Sequence, residues 1–251
     1  MKRKNIIIIG GCGLLGSGFV NYLNNFEYNI IIADIDKHKS EKIIKSLQSN
    51  KIHFIKTDVS NDKSIEKMIS SVQKLYGKIF ASVYCAYPRS REWGADFLSV
   101  KRKYLSIDLD NHLTNSIIFS QKIIICYLKQ KSGRLIHISS IQGVSAPKFH
   151  HYNGTDMGSP IEYTAVKSGI IGITKYLAKL YLKKNIQVNC ISPGGILAKQ
   201  PRKFLDKYKK SCGMKGMLDP GDLNSSLHLL LSDNSSMITG QNIIVDDGWS
   251  L

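Results

Sequence analysis

Long apolar segments are absent from this sequence. No apolar run approaches the ~18 residues that a membrane-spanning helix needs, so we expect no membrane partner. The opening MKRKNIIIIGG places basic residues ahead of isoleucines, as a signal peptide does, but its apolar part stops after Ile9 and no small-residue cleavage site follows. We interpret this stretch as a first strand and predict a cytoplasmic chain.

Closely spaced cysteines are absent too. No two cysteines have the C-x-x-C spacing of a zinc site or a redox pair, so we predict no metal. An odd number of scattered thiols is typical of a reducing compartment. The five positions are Cys12, Cys85, Cys126, Cys190 and Cys212.

Acidic residues are few. The chain has 35 Lys and Arg against 19 Asp and Glu, which gives a formal net charge of +16. The excess lysines are spread along helical stretches, as in DKHKSEKIIKSLQSNK at 36–51, and no dense basic block or nucleic-acid motif is present. We therefore interpret the charge as a lysine-rich surface and predict no nucleic-acid partner, while an anionic substrate stays open.

The sequence does contain short β-branched runs that alternate with longer amphipathic stretches. Strands are predicted at 5–10, 28–34 (or to 36), 51–58, 78–86, 133–140, 185–192 and 242–248, and helical patterns at 14–23, 43–47, 65–77, 100–131 and 161–179. With no linker or repeat, this order predicts one α/β domain over residues 1–251. Its expected form is a Rossmann-type doubly wound parallel sheet with helices on both faces.

A glycine-rich turn, GGCGLLGSG at 10–18, joins the first predicted strand to the first helix. This is the context that a dinucleotide-binding loop requires, because glycines let backbone N–H groups approach a pyrophosphate at a helix N-terminus. We predict cofactor contacts at Gly10, Gly13, Leu15 and Gly16. The alternative is a turn that serves only helix–strand packing.

Acidic residues end the second and third predicted strands, at the same sheet edge as the glycine turn. Asp34 can accept hydrogen bonds from adenosine ribose hydroxyls and would repel the extra phosphate of NADP, so we favour NAD as the cofactor. Asp36 is the alternative for this role, or a helix N-cap. Asp58 with Val59 can bind the adenine amino edge, or Asp58 is an N-cap or turn residue.

Tyr163 and Lys167 are four residues apart in IEYTAVKSGIIGITKYLAK and therefore share one helix face. A nearby ammonium and a positive nicotinamide would lower the tyrosine pKa from its usual value near ~10, so that Tyr163 could exchange a proton with an alcohol or carbonyl. Lys167 could also bond the nicotinamide ribose, and Ser140 could hold the substrate oxygen. Such a pair alone is more often surface decoration, so the prediction depends on the glycine turn at the same sheet edge.

Together these motifs resemble the classical short-chain dehydrogenase/reductase family from Asn5 to Gly248. The resemblance is carried by the glycine turn, Asp34, DVS at 58–60, ISS at 138–140, YTAVK at 163–167, NCISPGGI at 189–196 and ITGQNIIVDDG at 238–248. It implies an NAD(P)-dependent enzyme that interconverts an alcohol and a carbonyl by hydride transfer, with Ser140, Tyr163 and Lys167 catalytic. It also implies that Pro193 to Ile196 close on the nicotinamide, and that the protein forms a homo-oligomer, a tetramer or a dimer.

Some positions depart from the family pattern. The glycine spacing is closer to that of the family's extended members, and the usual Asn-Asn-Ala-Gly reads YCAY at 84–87. Only Ala86 is kept, as a predicted cofactor contact, and Tyr87 would crowd the cofactor or cover it. The family's helix asparagine falls at His112, with Asn111 adjacent. His112 is either part of a water relay or a structural histidine.

A polar and aromatic segment, APKFHHYNGTDMGSP at 146–160, lengthens the chain between Ser140 and Tyr163. We interpret an insertion at about 144–162 as a lid that shapes the substrate pocket. His150 and His151 are adjacent and lack a third ligand, so they do not predict a metal site. A polar lid fits a sugar-like substrate, and the chain is similar to family members linked to flagellin modification and surface-polysaccharide biosynthesis.

The function predicted first is hydride transfer to or from a small molecule, either a sugar, a sugar phosphate or a nucleotide sugar. A catalytically silent protein that senses a dinucleotide is the alternative suggested by the altered YCAY. A nucleotide-sugar epimerase or dehydratase is the alternative suggested by the glycine spacing.

Overall fold

A computed structural model describes residues 3–251, so Met1 and Lys2 of the predicted 1–251 domain lie outside the described residues. The strands are β1 (Lys4–Ile9), β2 (Tyr28–Asp34), β3 (Ile52–Lys56), β4 (Ile79–Tyr84), β5 (Gly133–Ile138), β6 (Ile186–Pro193) and β7 (Asn242–Val245). All pair in parallel, in the order β3-β2-β1-β4-β5-β6-β7. The order reverses between β1 and β4, and ligands bind at such a point in open α/β sheets.

Helices connect these strands. They are α1 (Leu14–Leu23), α2 (Lys37–Leu47), α3 (Asp62–Tyr76), α4 (Arg102–Leu109), α5 (Asn115–Gln130), α6 (Ile161–Leu180), α7 (Arg202–Lys209) and α8 (Asn224–Leu231). The predicted helical region 100–131 is divided, because a π-helical turn at Asp110–Thr114 joins α4 to α5. The sequence pattern predicts neither α7 nor α8, both of which are short.

Both faces of the sheet are buried. Ile7 belongs to the buried cluster that contains Phe119 of α5, whereas its neighbour Ile8 belongs to the cluster that contains Phe19 of α1. Because adjacent side chains of a strand point to opposite faces, a continuous isoleucine run fits a sheet that is covered on both sides. The predicted doubly wound fold is confirmed.

The end of β2 settles one of the open boundaries. The strand stops at Asp34, so the alternative end at Asp36 is wrong. Asp36 is instead the N-cap of α2, and its side chain accepts a hydrogen bond from the backbone N–H of Lys39 at 2.9 Å. Asp34 is therefore left at the carboxyl edge of the sheet, where the site lies.

Candidate active site

A cavity of about 950 Å³ opens at the carboxyl ends of the strands. Its wall is formed by the turns that follow β1 to β6 and by residues near α7. Every site residue predicted from the sequence lies in this wall: Gly10, Gly13, Leu15, Gly16, Asp34, Asp58, Val59, Ala86, Ser140, Tyr163, Lys167, Pro193 and Ile196. The structure thus brings the predicted residues together, while their roles stay predictions.

The glycine turn is closed by backbone contacts that leave no room for side chains. Gly10 has a φ of +73°, and a Cβ at this position would lie 2.8 Å from Cα and N of Ala86. A Cβ on Gly16 would overlap the carbonyl oxygen of Gly10. Gly13 is the N-cap of α1 and supplies no capping side chain, so the first N–H groups of α1 can bind an anionic ligand. These features fit a dinucleotide pyrophosphate.

Asp34 supports the glycine turn from the neighbouring strand. Its carboxylate accepts hydrogen bonds from the backbone N–H of Cys12 at 2.9 Å and from that of Asp36 at 3.0 Å. Each carboxylate oxygen has a further lone pair, so Asp34 can still accept ribose hydroxyls in the cavity. The carboxylate of Asp36 lies 3.5 Å from the ammonium of Lys39. Lys39 is the cation that would be nearest to the additional phosphate of NADP.

Asp58 is a turn residue after β3. One of its carboxylate oxygens accepts hydrogen bonds from the N–H of Ser60 at 2.9 Å and from the hydroxyl of Ser60 at 2.7 Å. The N-cap of α3 is Asn61, which accepts from the N–H of Ser64 at 3.1 Å. The N-cap alternative for Asp58 is therefore wrong, and Asp58 remains in the cavity wall beside Val59.

The start of α6 is held against the end of β5 by two close contacts. The hydroxyl of Ser139 donates a hydrogen bond to the carbonyl oxygen of Lys167 at 2.7 Å. A Cβ on Gly143 would lie 2.6 Å from the same carbonyl group, so glycine is needed for this approach. These contacts place Tyr163 and Lys167 next to Ser140, the second residue after the strand.

Lys167 is buried at the base of the cavity. Its Nζ donates a hydrogen bond to the carbonyl oxygen of Ile138 at 3.0 Å and lies 5.5 Å from the centroid of the Tyr163 ring. Burial lowers the pKa of Lys167 to about 8, because an ammonium loses hydration there. At neutral pH the group therefore still carries its charge in most molecules.

Tyr163 is half-buried in the cavity wall, in the first turn of α6. Burial raises the pKa of its phenol, whereas hydrogen bonding with Ser140 acts in the opposite direction. In the chain without a cofactor, the loss of hydration outweighs this hydrogen bond. A lowering by bound nicotinamide stays a prediction.

The π-helical turn before α5 decides which side chains of this region reach the cavity. A π turn changes the helical repeat and therefore the direction of the side chains that it carries. Asn111 and Asn115 line the cavity, and the side-chain amide of Asn115 donates to the carbonyl oxygen of Asn111 at 3.2 Å. His112 is only 2% exposed, and its Nε2 has no hydrogen-bond partner among the described residues. The geometry favours a structural histidine over a water relay.

Two aromatic rings cover His112. The rings of Tyr87 and Trp93 each lie with their centroids 4.8 Å from that of His112. Both also lie edge-on to Tyr163, at 5.9 Å and 6.1 Å. Tyr87 therefore lies beside the predicted catalytic pair, while its crowding or covering of the cofactor stays a prediction.

The 144–162 insertion packs on a third buried cluster. His151 is 1% exposed, and its Nε2 lies 2.9 Å from the hydroxyl of Ser211. The insertion contributes Tyr152 and Met157 to the cavity wall. It thus forms part of the cavity wall, while its role as a lid that shapes the substrate pocket stays a prediction. The cluster consists of Ile141, Phe204, Tyr208, Met217 and Trp249.

Several residues of the wall were not predicted from the sequence. Asn115, Trp93 and Trp249 all line the cavity. The spacing of Asn115 four residues after Asn111 could have indicated a shared helix face. No local signal marks Trp93 or Trp249, because both reach the cavity through long-range packing.

Within residues 3–251, no helix combines the length and the apolarity that crossing a bilayer requires. Over the same residues, no group of three or more His, Cys, Asp or Glu side chains is arranged to hold a metal ion.

Comparisons with known proteins agree with this geometry. The model of a family described as enoyl-(acyl carrier protein) reductase matches residues 15–250. Over 255 residues the chain is 35% identical to post-translational flagellin modification protein A of Campylobacter coli, with 100% of both chains covered. It is 26% identical over 260 residues to a 7alpha-hydroxysteroid dehydrogenase of Bacteroides fragilis, covering 100% of this chain and 95% of that one.

A solved structure supports the same assignment. A short-chain dehydrogenase from Leptospira borgpetersenii, crystallised with bound NAD+, matches with a TM-score of 0.88 at 28% identity, covering 100% of this chain and 94% of that one. The chain belongs to the short-chain dehydrogenase/reductase family of oxidoreductases, which bind a nicotinamide dinucleotide.

Proposed function

We propose that this protein is an NAD-dependent oxidoreductase that interconverts an alcohol and a carbonyl on a sugar, a sugar phosphate or a nucleotide sugar. One observation carries the proposal: Ser140, Tyr163 and Lys167 share a cavity with the glycine turn. A phenol, a hydroxyl and an ammonium in one pocket are the groups that proton exchange with a substrate oxygen requires.

The residues that would hold the dinucleotide follow the carboxyl edge of the sheet. The glycine turn would take the pyrophosphate through Gly10, Gly13, Leu15 and Gly16. Asp34 would take the adenosine ribose, and Asp58 with Val59 the adenine. Ala86 and the segment from Pro193 to Ile196 would face the nicotinamide. When bound, the nicotinamide supplies or accepts the hydride.

The chain's own groups would handle the proton. The Oγ of Ser140 accepts a hydrogen bond from the backbone N–H of Gln142 at 3.2 Å, and its own hydroxyl proton would be donated to a substrate oxygen instead of to Tyr163. Tyr163 would give a proton to that oxygen, or take one from it. Lys167 uses one N–H for a backbone carbonyl and has two more for the cofactor ribose, while its charge favours phenolate.

The preference for NAD is supported by the charges near the adenosine end. Asp34 would present a carboxylate where NADP carries its additional phosphate, and the nearby Lys39 lies 3.5 Å from Asp36. The charge of Lys39 is thus partly neutralised by Asp36. A second phosphate would meet repulsion from the carboxylate of Asp34, whereas Lys39 offsets the charge of Asp36.

The substrate class is supported by similarity and by the pocket. A full-length relative is named for flagellin modification, which is consistent with a role in surface-sugar metabolism. Gln142 and Ser159 place an amide and a hydroxyl in the cavity wall, where they can bond sugar hydroxyls. We also propose a homo-oligomer, a dimer or a tetramer, which size-exclusion chromatography with light scattering would test.

Tyr163→Phe tests the proposed chemistry. With a panel of sugars, sugar phosphates and nucleotide sugars, we expect turnover to fall by about 10²–10⁴-fold, because the acid–base group is lost. NADH binding, measured by fluorescence, should be kept. Tyr176→Phe is the matched control, since Tyr176 lies on the same helix and is exposed.

Two results would contradict the proposal. Wild-type protein that binds NADH but turns over no member of the panel would favour the dinucleotide-sensing alternative. Turnover of a nucleotide sugar without net formation of NADH would favour the epimerase or dehydratase alternative.

A further inference from the structure

The 85–96 loop presents side chains that the proposed proton chemistry does not use. Tyr87, Arg89 and Trp93 of this loop all line the cavity. The rings of Tyr87 and Trp93 meet edge to face, with centroids 5.5 Å apart and an interplanar angle of 82°. Together they form an aromatic wall next to Tyr163.

Buried groups hold this loop in place from behind. Ser90 donates hydrogen bonds to the carboxylate of Asp108 from its N–H at 2.9 Å and from its hydroxyl at 2.7 Å. The N–H of Gly94 donates to the carboxylate of Glu162 at 3.2 Å. Asp108 and Glu162 are only 1% and 3% exposed. These bonds hold the loop on both sides of Trp93 before a ligand arrives, which reduces the entropy lost on binding.

Arg89 is the cation of this wall that lies over the ring of Tyr87. Its guanidinium carbon lies 5.8 Å from the centroid of the Tyr87 ring. Within the described chain it takes part in no salt bridge. The other cations of the wall are used, because Lys39 lies 3.5 Å from Asp36 and Lys167 donates to a backbone carbonyl.

We propose that Tyr87, Arg89 and Trp93 form the substrate-recognition subsite, and that the substrate is a sugar carrying an anionic group, either a phosphate or a carboxylate. This inference rests on the proposed function, since it concerns the substrate of the same cavity. The CH face of a sugar ring is apolar and packs on aromatic rings. A guanidinium binds phosphate or carboxylate through paired N–H donors.

His112 has a positioning role in this subsite. Its buried ring lies behind Tyr87 and Trp93 at 4.8 Å from each. It occupies the place at which the sequence led us to expect the helix asparagine. The histidine therefore supports the aromatic wall, while Asn111 and Asn115 face the cavity beside it.

Steady-state kinetics with the full chain and NAD(H) test the subsite. The substrates are a neutral hexose, its 6-phosphate and its uronic acid, in several sugar configurations. For the anionic members we expect Arg89→Gln to raise KM by about 10- to 100-fold with little change in kcat. KM for the neutral hexose should not change, and Arg89→Lys should restore part of the loss. Arg91→Gln is the control, because Arg91 is exposed and lies outside the cavity wall.

Trp93→Leu should raise KM for every ring substrate and leave NADH binding unchanged. Equal loss across charged and neutral substrates in Arg89→Gln, or a wild-type preference for the neutral hexose, would overturn the subsite while the proposed function stands. A response to the phosphate alone, or to the carboxylate alone, would support it and identify the anion.

Absence of turnover in the wild type would count against the proposed function. In that case, the binding of ligands to the cavity tests the proposed subsite. Trp93 and Trp249 are the only two tryptophans of the sequence, so Trp249→Phe leaves Trp93 as the sole reporter. Quenching of its fluorescence by the hexose 6-phosphate or by the uronic acid, lost in the double variant with Arg89→Gln, would support the subsite. No quenching by either anion would overturn it.

Discussion

The two halves of the cavity are built by different means. The half around the glycine turn is shaped by backbone, since added Cβ atoms at Gly10 and Gly16 would meet main-chain atoms. The opposite half is shaped by side chains on long connections, such as Trp93 in the 85–96 loop and Trp249 near the end of the chain. Short turns define the first half and long-range packing the second.

Because of this difference, one half of the cavity determines the class of cofactor and the other half determines which substrate binds. Backbone N–H groups at a helix start favour any phosphate of suitable size, so the first half defines a cofactor class. Rings and a guanidinium discriminate by shape and charge, so the second half defines which substrate enters. Changes in the two halves should therefore affect different binding constants.

The largest effect is expected from Gly16→Ala. Because the new Cβ would overlap the carbonyl oxygen of Gly10, α1 must move away from the turn. We expect the free energy of unfolding to fall by about 1–3 kcal/mol and NADH binding to be lost over the accessible concentration range. Urea denaturation and NADH fluorescence measure the two effects.

Gly172→Ala is the matched control for that substitution. A Cβ at Gly172 would have open space, and the position lies within α6, so alanine should stabilise the protein by about 1 kcal/mol. Wild-type affinity for NADH in Gly16→Ala would show that the backbone cradle is not what binds the cofactor.

An intermediate effect is expected from Asp34→Asn. The amide keeps the size of the side chain but removes the charge that would repel a second phosphate and accept the ribose hydroxyls. We expect the ratio of NADP to NAD dissociation constants to fall about tenfold, measured by titration with the two reduced forms. Asp36→Asn should leave that ratio unchanged. A larger change of this ratio in Asp36→Asn than in Asp34→Asn would assign the selection between NAD and NADP to Asp36.

The smallest effect is expected from His112→Phe, in the half that is shaped by side chains. Phenylalanine keeps the ring and removes the unpartnered Nε2, so we expect about 1 kcal/mol of added stability at pH 7.5 and activity within threefold of wild type. A large loss of kcat with unchanged KM would instead support the alternative role of His112 in a water relay.

The same variant has a pH dependence with a definite sign. Burial lowers the pKa of His112 to about 4, and the charge of Lys167 acts in the same direction. Between about pH 6.5 and 4 the unfolded chain binds a proton at this residue that the folded chain does not, so wild-type stability falls as the pH falls. The advantage of His112→Phe should therefore grow from pH 7.5 to pH 5, as measured by denaturation at each pH.

Much of the fold and of the cofactor half was predictable from local pattern. The isoleucine run of β1, the glycine turn and the start of α1 are consecutive in sequence, so their contacts are nearly local. Tyr163 and Lys167 share one helix turn, which fixes their proximity. The short helices α7 and α8 were not predicted. Helices of this length are not stable in isolation, so packing against the rest of the protein stabilises them.

The substrate half was less predictable for a physical reason. The neighbours of His112 come from the 85–96 loop, and those of His151 from around α7 and the chain end. No spacing rule connects such residues. The sequence did indicate that the 144–162 insertion borders the pocket, since it lies between Ser140 and Tyr163.

The amino-acid sequence alone determined the doubly wound sheet, the glycine turn and the helix pair of Tyr163 and Lys167, because hydrophobic period and residue spacing act over a few residues. Only the tertiary structure decided that burial raises the pKa of the Tyr163 phenol more than hydrogen bonding with Ser140 lowers it. It also decided that Asn111, in the π turn, faces the cavity while His112 packs behind the aromatic wall. Burial and ring packing depend on segments distant in the chain, and their balance is set only when those segments meet.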